Sequence, residues 1–431
     1  MHRSRYSPVS GAVTVRSQSL DEVSYRKSVL PNGLRVISET VPSLRSLALG
    51  VWINVGSRDE EKEVGGISHF IEHAVFKGTR RRKTHQIAQY LEAVGGYINA
   101  FTGKDATCYY VRVRDRHLDR AVDLLSDLVC NPAFLPREVD KEKLVILDEM
   151  RSVEDDPEDF INDILERNVY GDSPLGRPVI GTADSINALV PATLHSFVAR
   201  NYTARNIVVA AAGCVEHERL AELCESAFDS LPTGSERHRI RPRIHKPKRD
   251  EHSRSIQQAH FIMGCPVGGL RDKRTEALSI LNAILGDGMS SRLFQKIRER
   301  HGYAYNIYSF ATLFEDTGIF GVYVGADREK LERCRQLIVE ELEYLRGTPP
   351  TLREINRARE QLVGSTLLGL EGMSTRMNRI ARDELQFKRH VTVDELLGRL
   401  YAVRLEDVAR VANETCDTSR YFTTAVQPAQ T

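Results

Sequence analysis

A strand that runs into a Val-Gly turn and then a helix occurs once in each half of this chain. In the first half, the apolar residues 47–55 end in Val55-Gly56-Ser57-Arg58-Asp59, and helical periodicity follows over 66–76. In the second half, residues 259–265 lead into Val267-Gly268-Gly269-Leu270-Arg271-Asp272 before another helical stretch. A later strand and helix, 107–113 and 118–128, are echoed by 317–324 and 330–345. Repetition on this scale reads as a duplicated unit, each copy burying one sheet face under helices. The expected fold is therefore α+β: two homologous domains, each a mainly antiparallel sheet covered by helices. A length of 431 residues suits two such domains. The boundaries are placed at a flexible N-terminus over 1–25, a first domain over 26–232, a linker over 233–254 and a second domain over 255–431. The linker reading rests on Gly234, Pro242, Pro247 and a dense run of arginines and lysines, which suit an exposed connection. Residues 34–39 and 47–55 read as a first strand pair, and 206–212 as a buried strand.

Charge excludes some functions. Lys+Arg number 60 and Asp+Glu 59, a net of +1, so no global basic field draws nucleic acid. No apolar run approaches the ~20 residues of a membrane span. The seven cysteines are scattered and form no C-x-x-C, which suits reduced, buried thiols. The first twenty residues carry Arg3, Arg5 and Arg16, several serines and no acid. Such a segment fits a disordered bacterial N-terminus, implying a cytoplasmic protein, or a transit peptide, implying an organellar matrix.

The two halves differ chemically. His69-Phe70-Ile71-Glu72-His73 lies on the helix after the first Val-Gly turn; the equivalent stretch 278–285 holds no metal ligand. On a helix, His69 and His73 are one turn apart on one face, so both imidazoles reach a single ion. Zinc favours such nitrogen donors, and catalytic zinc takes three protein ligands and leaves a position open. Glu72 shares that side and reaches water beside the ion; the order His-x-x-Glu-His is the inverted zincin pattern. A third ligand is missing from the motif. The helix over 138–152 carries Glu142 and Glu149 two turns apart on one face, with Asp148 beside them, and spacing alone leaves the choice among the three open.

The chain resembles the pitrilysin-type inverzincin zinc metallopeptidases, and most of all bacterial peptidases close to the beta subunit of mitochondrial processing peptidase. The resemblance runs from Leu30-Pro31-Asn32-Gly33-Leu34-Arg35-Val36 to about Pro428. It centres on Gly65-Gly66-Ile67-Ser68-His69-Phe70-Ile71-Glu72-His73 and Phe76-Lys77-Gly78-Thr79. Pro174-Leu175-Gly176-Arg177-Pro178 and Gly181-Thr182 support it. It implies that Glu149 is the third zinc ligand and that Glu142 supports the site. It implies that Arg298 and Tyr305 complete the active site from the second half, Arg298 positioning substrate backbone and Tyr305 steadying the oxyanion. It places peptide substrate as an added strand along Asn99, Ala100 and Phe101. The expected activity is zinc-dependent endopeptidase cleavage of peptides or unfolded segments, presequence-like ones included, with Glu72 as general base. The two halves would form half of the clamshell of larger relatives, closing at a hinge in the linker and pairing as a homodimer or with a homologous subunit. The competing expectation is a non-catalytic core subunit of the same fold. An acidic run over 154–159 would attract basic peptides, or would simply end a helix.

Overall fold

The computed structural model describes residues 23–429. Most of the N-terminal segment read as flexible, together with its transit-peptide alternative, lies outside these residues.

The first unit holds β1 (Ser24–Val29), β2 (Arg35–Thr40), β3 (Ser46–Ile53), β4 (Tyr97–Thr102), β5 (Thr107–Arg114) and β6 (Ile207–Gly213). The second holds β7 (Arg249–Arg254), β8 (Ala259–Gly268), β9 (Ala304–Leu313), β10 (Thr317–Ala326) and β11 (Phe422–Pro428). The strand orders are β1-β2-β6-β3-β5-β4 and β7-β11-β8-β10-β9. Apart from the extra β1, the two sheets have one topology. Each opens with a parallel pair, β2 with β6 and β7 with β11, and every later pairing is antiparallel. The duplication read from the sequence is thus present strand for strand, and both sheets are mixed.

Two expectations change. The strands at 34–39 and 47–55 exist but are not neighbours, because β6 lies between them. All seven residues of β6, Ile-Val-Val-Ala-Ala-Ala-Gly, are buried, and such a strand belongs in the sheet interior. The span 233–254 is not all linker, because its last six residues form β7 and pair with β11.

The duplicated units exchange helices. The Pro157–Tyr170 helix of the first unit packs on β8 and β11 of the second. Its Ile161, Leu165 and Val169 meet Ile262, Ile319 and Phe422 there. Reciprocally, the Met373–Phe387 helix of the second unit covers β2, β3 and β6 of the first. Met377, Ile380 and Ala381 recur at helical spacing and meet Ile37, Ala48 and Val208. Each sheet therefore has its own helices on one face and a helix of its partner on the other.

The linker is pinned between the units. The Arg239 side chain is only 6% exposed. It pairs with Asp59 at 2.7 Å, Glu315 at 3.0 Å and Asp105 at 3.6 Å. Arg58 adds Asp105 at 2.9 Å and Asp316 at 3.1 Å. Cations from the first unit and the linker thus share carboxylates of both units inside a poorly hydrated seam. Opening at a hinge in the linker would separate these charge pairs and expose two apolar clusters.

Candidate metal centre

The helix α1 (Ile67–Val75) carries the His-x-x-Glu-His motif, and α2 (Pro136–Asp155) carries the distant carboxylates. Backbone contacts fix the start of α1. Gly66 has φ +88°, and a Cβ there would stand 2.5 Å from the carbonyl oxygen of Ile180. Only glycine satisfies both constraints. Glu60, buried, caps the helix: its carboxylate accepts from the amides of Gly66 at 2.6 Å and Ser68 at 2.8 Å. Arg177 in turn donates to the Glu60 carbonyl at 2.6 Å. The Pro-Leu-Gly-Arg-Pro stretch of the sequence therefore acts by holding this turn.

From that base the imidazoles and one carboxylate converge. His69, His73 and Glu149 present one donor atom each, all within 4.8 Å of one another. It is the only such group of metal-ligating side chains among the described residues, so the linker histidines form none. Glu149 Oε1 lies 3.7 Å from His69 Nε2, and Oε2 lies 3.5 Å from His73 Nε2. Two donors bound to one tetrahedral zinc at about 2.1 Å each are about 3.4 Å apart. The observed spacings fit that demand and are too long for good hydrogen bonds. Of the three acids, Glu149 is the one whose carboxylate converges with both imidazoles.

Glu142 occupies the position behind the ligands. Its carboxylate is buried and accepts from His73 Nδ1 at 2.8 Å. Lys77 Nζ lies 2.9 Å from its other oxygen. Burial alone would raise the Glu142 pKa, but His73 and Lys77 hold it below the usual carboxylate value. A proton fixed on His73 Nδ1 leaves Nε2 with a lone pair facing the shared point.

Burial, helped by the neighbouring His73, pulls the His69 pKa down to about 4, so this imidazole is a neutral donor. Burial works the same way on His73 but is outweighed by Glu142, Glu149 and Glu72, and its pKa rises. Glu72 is the next side chain on this face. Burial pushes its carboxyl pKa up, against the Thr102 hydroxyl and His73. Its Oε2 is buried without a protein hydrogen-bond partner, an oxygen free to take a proton. The donor chemistry and spacing therefore fit a divalent zinc ion.

The other predicted residues sit apart. On β4, Ala100 packs toward the core of the first unit beside α1. Asn99 and Phe101 alternate to the opposite face, where the Phe101 ring stands 5.3 Å from Trp52. The outer edge of β4 borders no further strand of its sheet. Arg298 lies on the turn Phe294–Arg300 with its guanidinium 4.9 Å above the Phe294 ring. Tyr305 is the second residue of β9, is 56% exposed, and donates to Asp327 at 3.1 Å. Neither hydrogen-bonds nor ion-pairs with His69, Glu72, His73 or Glu149. Two acids of the acidic run have structural roles: Asp156 caps the Pro157–Tyr170 helix, and Glu158 accepts from Tyr308 at 2.5 Å. Sequence reading missed Glu60, Lys77 and Thr102. Lys77 had a signal, since it lies one helical turn beyond His73.

The duplicated α+β frame carries its candidate metal-binding helix in the first half only. Residues 35–183 match Insulinase (Peptidase family M16), and residues 188–362 match the Peptidase M16 inactive domain. The chain belongs to peptidase family M16. An uncharacterized zinc protease of Streptomyces coelicolor is 40% identical over 90% of this chain and 86% of that protein. One from Mycobacterium tuberculosis is 40% identical over 90% of each chain. One from Bacillus subtilis is 36% identical over 89% of this chain and 93% of its own length. Two solved structures share the fold at a TM-score of 0.88: a protease from Helicobacter pylori, 24% identical, and a peptidase M16 inactive domain from Pseudomonas fluorescens, 20% identical. They cover 94% of this chain and, respectively, 100% and 98% of their own. Among the described residues no helix is long and apolar enough to cross a membrane.

Proposed function

We propose that this protein is a zinc-dependent endopeptidase acting on peptides or unfolded segments. The observation that carries the reading is the convergence of His69, His73 and Glu149 with Glu72 on the same helix face. The first two and Glu149 would hold the zinc ion. At such a donor set zinc supplies a Lewis acid that acidifies water and polarises a carbonyl oxygen.

The chain's own groups do the rest. Glu142 keeps the proton on His73 Nδ1 and so fixes the tautomer. Glu72, its pKa raised, takes a proton from water and returns it to the leaving amine. The free edge of β4 receives the peptide as an added strand, so main-chain hydrogen bonds hold it with little demand on sequence. Side chains alternate along such a strand between the face of Ala100 and the face of Asn99 and Phe101.

Arg298 and Tyr305 belong to this reading as groups supplied across an interface. Tyr305 is exposed, and its hydroxyl bonds Asp327 of its own unit rather than any group of the metal helix. A second homologous chain, identical or not, facing the metal helix is the proposed source. The alternative of a non-catalytic core subunit is opposed by the intact donor set and base. Zinc content and cleavage of a quenched fluorescent peptide, before and after chelation, test the proposal. Zinc-dependent cleavage is expected; bound zinc without cleavage in the full assembly would favour the core-subunit alternative.

A further inference from the structure

A cleft of about 1190 Å³ opens on the seam between the two units, away from the metal helix. None of His69, Glu72, His73, Glu142 and Glu149 lines it. Its walls come from the end of β3 and the 205–206 turn on one side, from the linker, and from the 270–277 and 385–389 segments on the other. Its size suits a small organic molecule.

Charge is the distinctive property of this cleft. The chain as a whole carries a net of +1. Ten arginines and lysines line the cleft against five acids. An excess of one sign in a concave, partly desolvated space focuses the field and attracts the opposite charge. Several of these cations are already paired: Arg239 with Asp59 and Glu315, Arg271 with Glu315, Lys388 with Glu236. Arg205 and Lys273 are not. Among the described residues, neither has a carboxylate within ion-pair distance. They approach from opposite units, Arg205 from the first and Lys273 from the second.

Gln386 supplies an independent observation. It lines the cleft, is only 7% exposed, and its Oε1 has no hydrogen-bond partner. Its backbone carbonyl is occupied, accepting from Arg271 Nε at 2.9 Å. Buried side-chain amides are normally satisfied, and an unpartnered amide oxygen calls for a hydroxyl or N–H donor from a ligand.

We propose that this cleft binds a small organic anion bearing at least two phosphate or carboxylate groups, bridging Arg205 and Lys273, with a hydroxyl or N–H of the ligand donating to Gln386 Oε1. Guanidinium and ammonium donors from opposite walls recognise separated anionic groups, and a monoanion satisfies one wall only. The ligand touches both units and the linker, so it stabilises the seam without entering the metal centre.

The test uses the full-length, zinc-loaded protein at low ionic strength. Glucose 1,6-bisphosphate and propane-1,2,3-tricarboxylate serve as phosphate and carboxylate probes, both chosen as weak zinc chelators. Calorimetric titration is expected to show saturable binding of at least one probe, weakening as salt rises. Preference between them assigns the anionic group. In Arg205→Ala/Lys273→Ala the affinity is expected to fall at least tenfold, with zinc content unchanged. Both side chains are exposed, and Arg35 bonds only the backbone carbonyl of Arg205, so this variant keeps its fold. Lys273→Glu provides a second variant with the same expected loss. Absence of saturable binding by both probes, or undiminished binding in both variants, overturns the proposal.

Discussion

Glu142 Oε1 accepts the Nδ1 proton of His73 at 2.8 Å, and this bond settles which imidazole nitrogen is left to face Glu149. Two turns along the same helix separate the carboxylate that bonds His73 from the one that converges with both imidazoles, the proposed third ligand. Glu142→Gln retains the shape but weakens the acceptor. Zinc affinity is expected to drop about 10–100-fold, as for other groups behind metal ligands. Competition with a fluorescent chelator measures it.

Glu72 makes a sharper prediction because it lies outside the donor set. Glu72→Gln is expected to keep zinc at wild-type stoichiometry and lose about 10²–10⁴ in kcat. Elemental analysis together with a peptide-cleavage assay checks both halves of the statement.

Proton competition at the two histidines differs, and the sign follows from their environments. Metal capture needs both imidazoles neutral. His73 has a raised pKa and protonates first as pH falls; His69 resists until about 4. Below the His73 value, log affinity for zinc should fall by about one per pH unit, steepening only as pH approaches the His69 value. Zinc titrations across this range read the slope. A slope of two already near neutrality would show that His69 is not the neutral donor described here.

The exchanged helices predict how the two units melt. Ile380 is fully buried against the sheet of the other unit. Ile380→Ala is expected to cost about 2–5 kcal/mol. Because each unit packs a helix on the other, denaturant unfolding should remain a single transition in both proteins. Two separated transitions in the variant would contradict a shared seam.

Arg239 tests the seam from its polar side. Arg239→Ala leaves Asp59, Asp105 and Glu315 crowded around an empty position, at a cost of about 3–5 kcal/mol. Chemical denaturation of the intact chain measures it.

Much of this was legible in the sequence. The Val-Gly turns at Gly56 and Gly268 announced the duplication, because turn residues and apolar periodicity are local properties. His69, Glu72 and His73 were legible for the same reason, lying within one helical turn. Glu149 was not: helix geometry placed it beside Glu142 and Asp148, and only resemblance, then coordinates, separated them. The position of β6 between β2 and β3 escaped because long-range strand pairing leaves no local mark. The helix exchange escaped likewise, since the apolar stripe of 373–387 shows that a partner face exists but not which sheet provides it. Arg239 looked like part of a solvated basic run; its burial depends on acids far away in sequence.

The proposed activity depends on one ion that His69, His73 and Glu149 would hold. Its most direct test is zinc binding measured by calorimetry on metal-stripped wild type and on Glu149→Gln, with peptide cleavage followed in the same samples. One zinc per chain in wild type, restoring cleavage, and affinity and cleavage both lost in Glu149→Gln is the predicted result. Unchanged zinc affinity in Glu149→Gln, or cleavage by the stripped wild type, would contradict it.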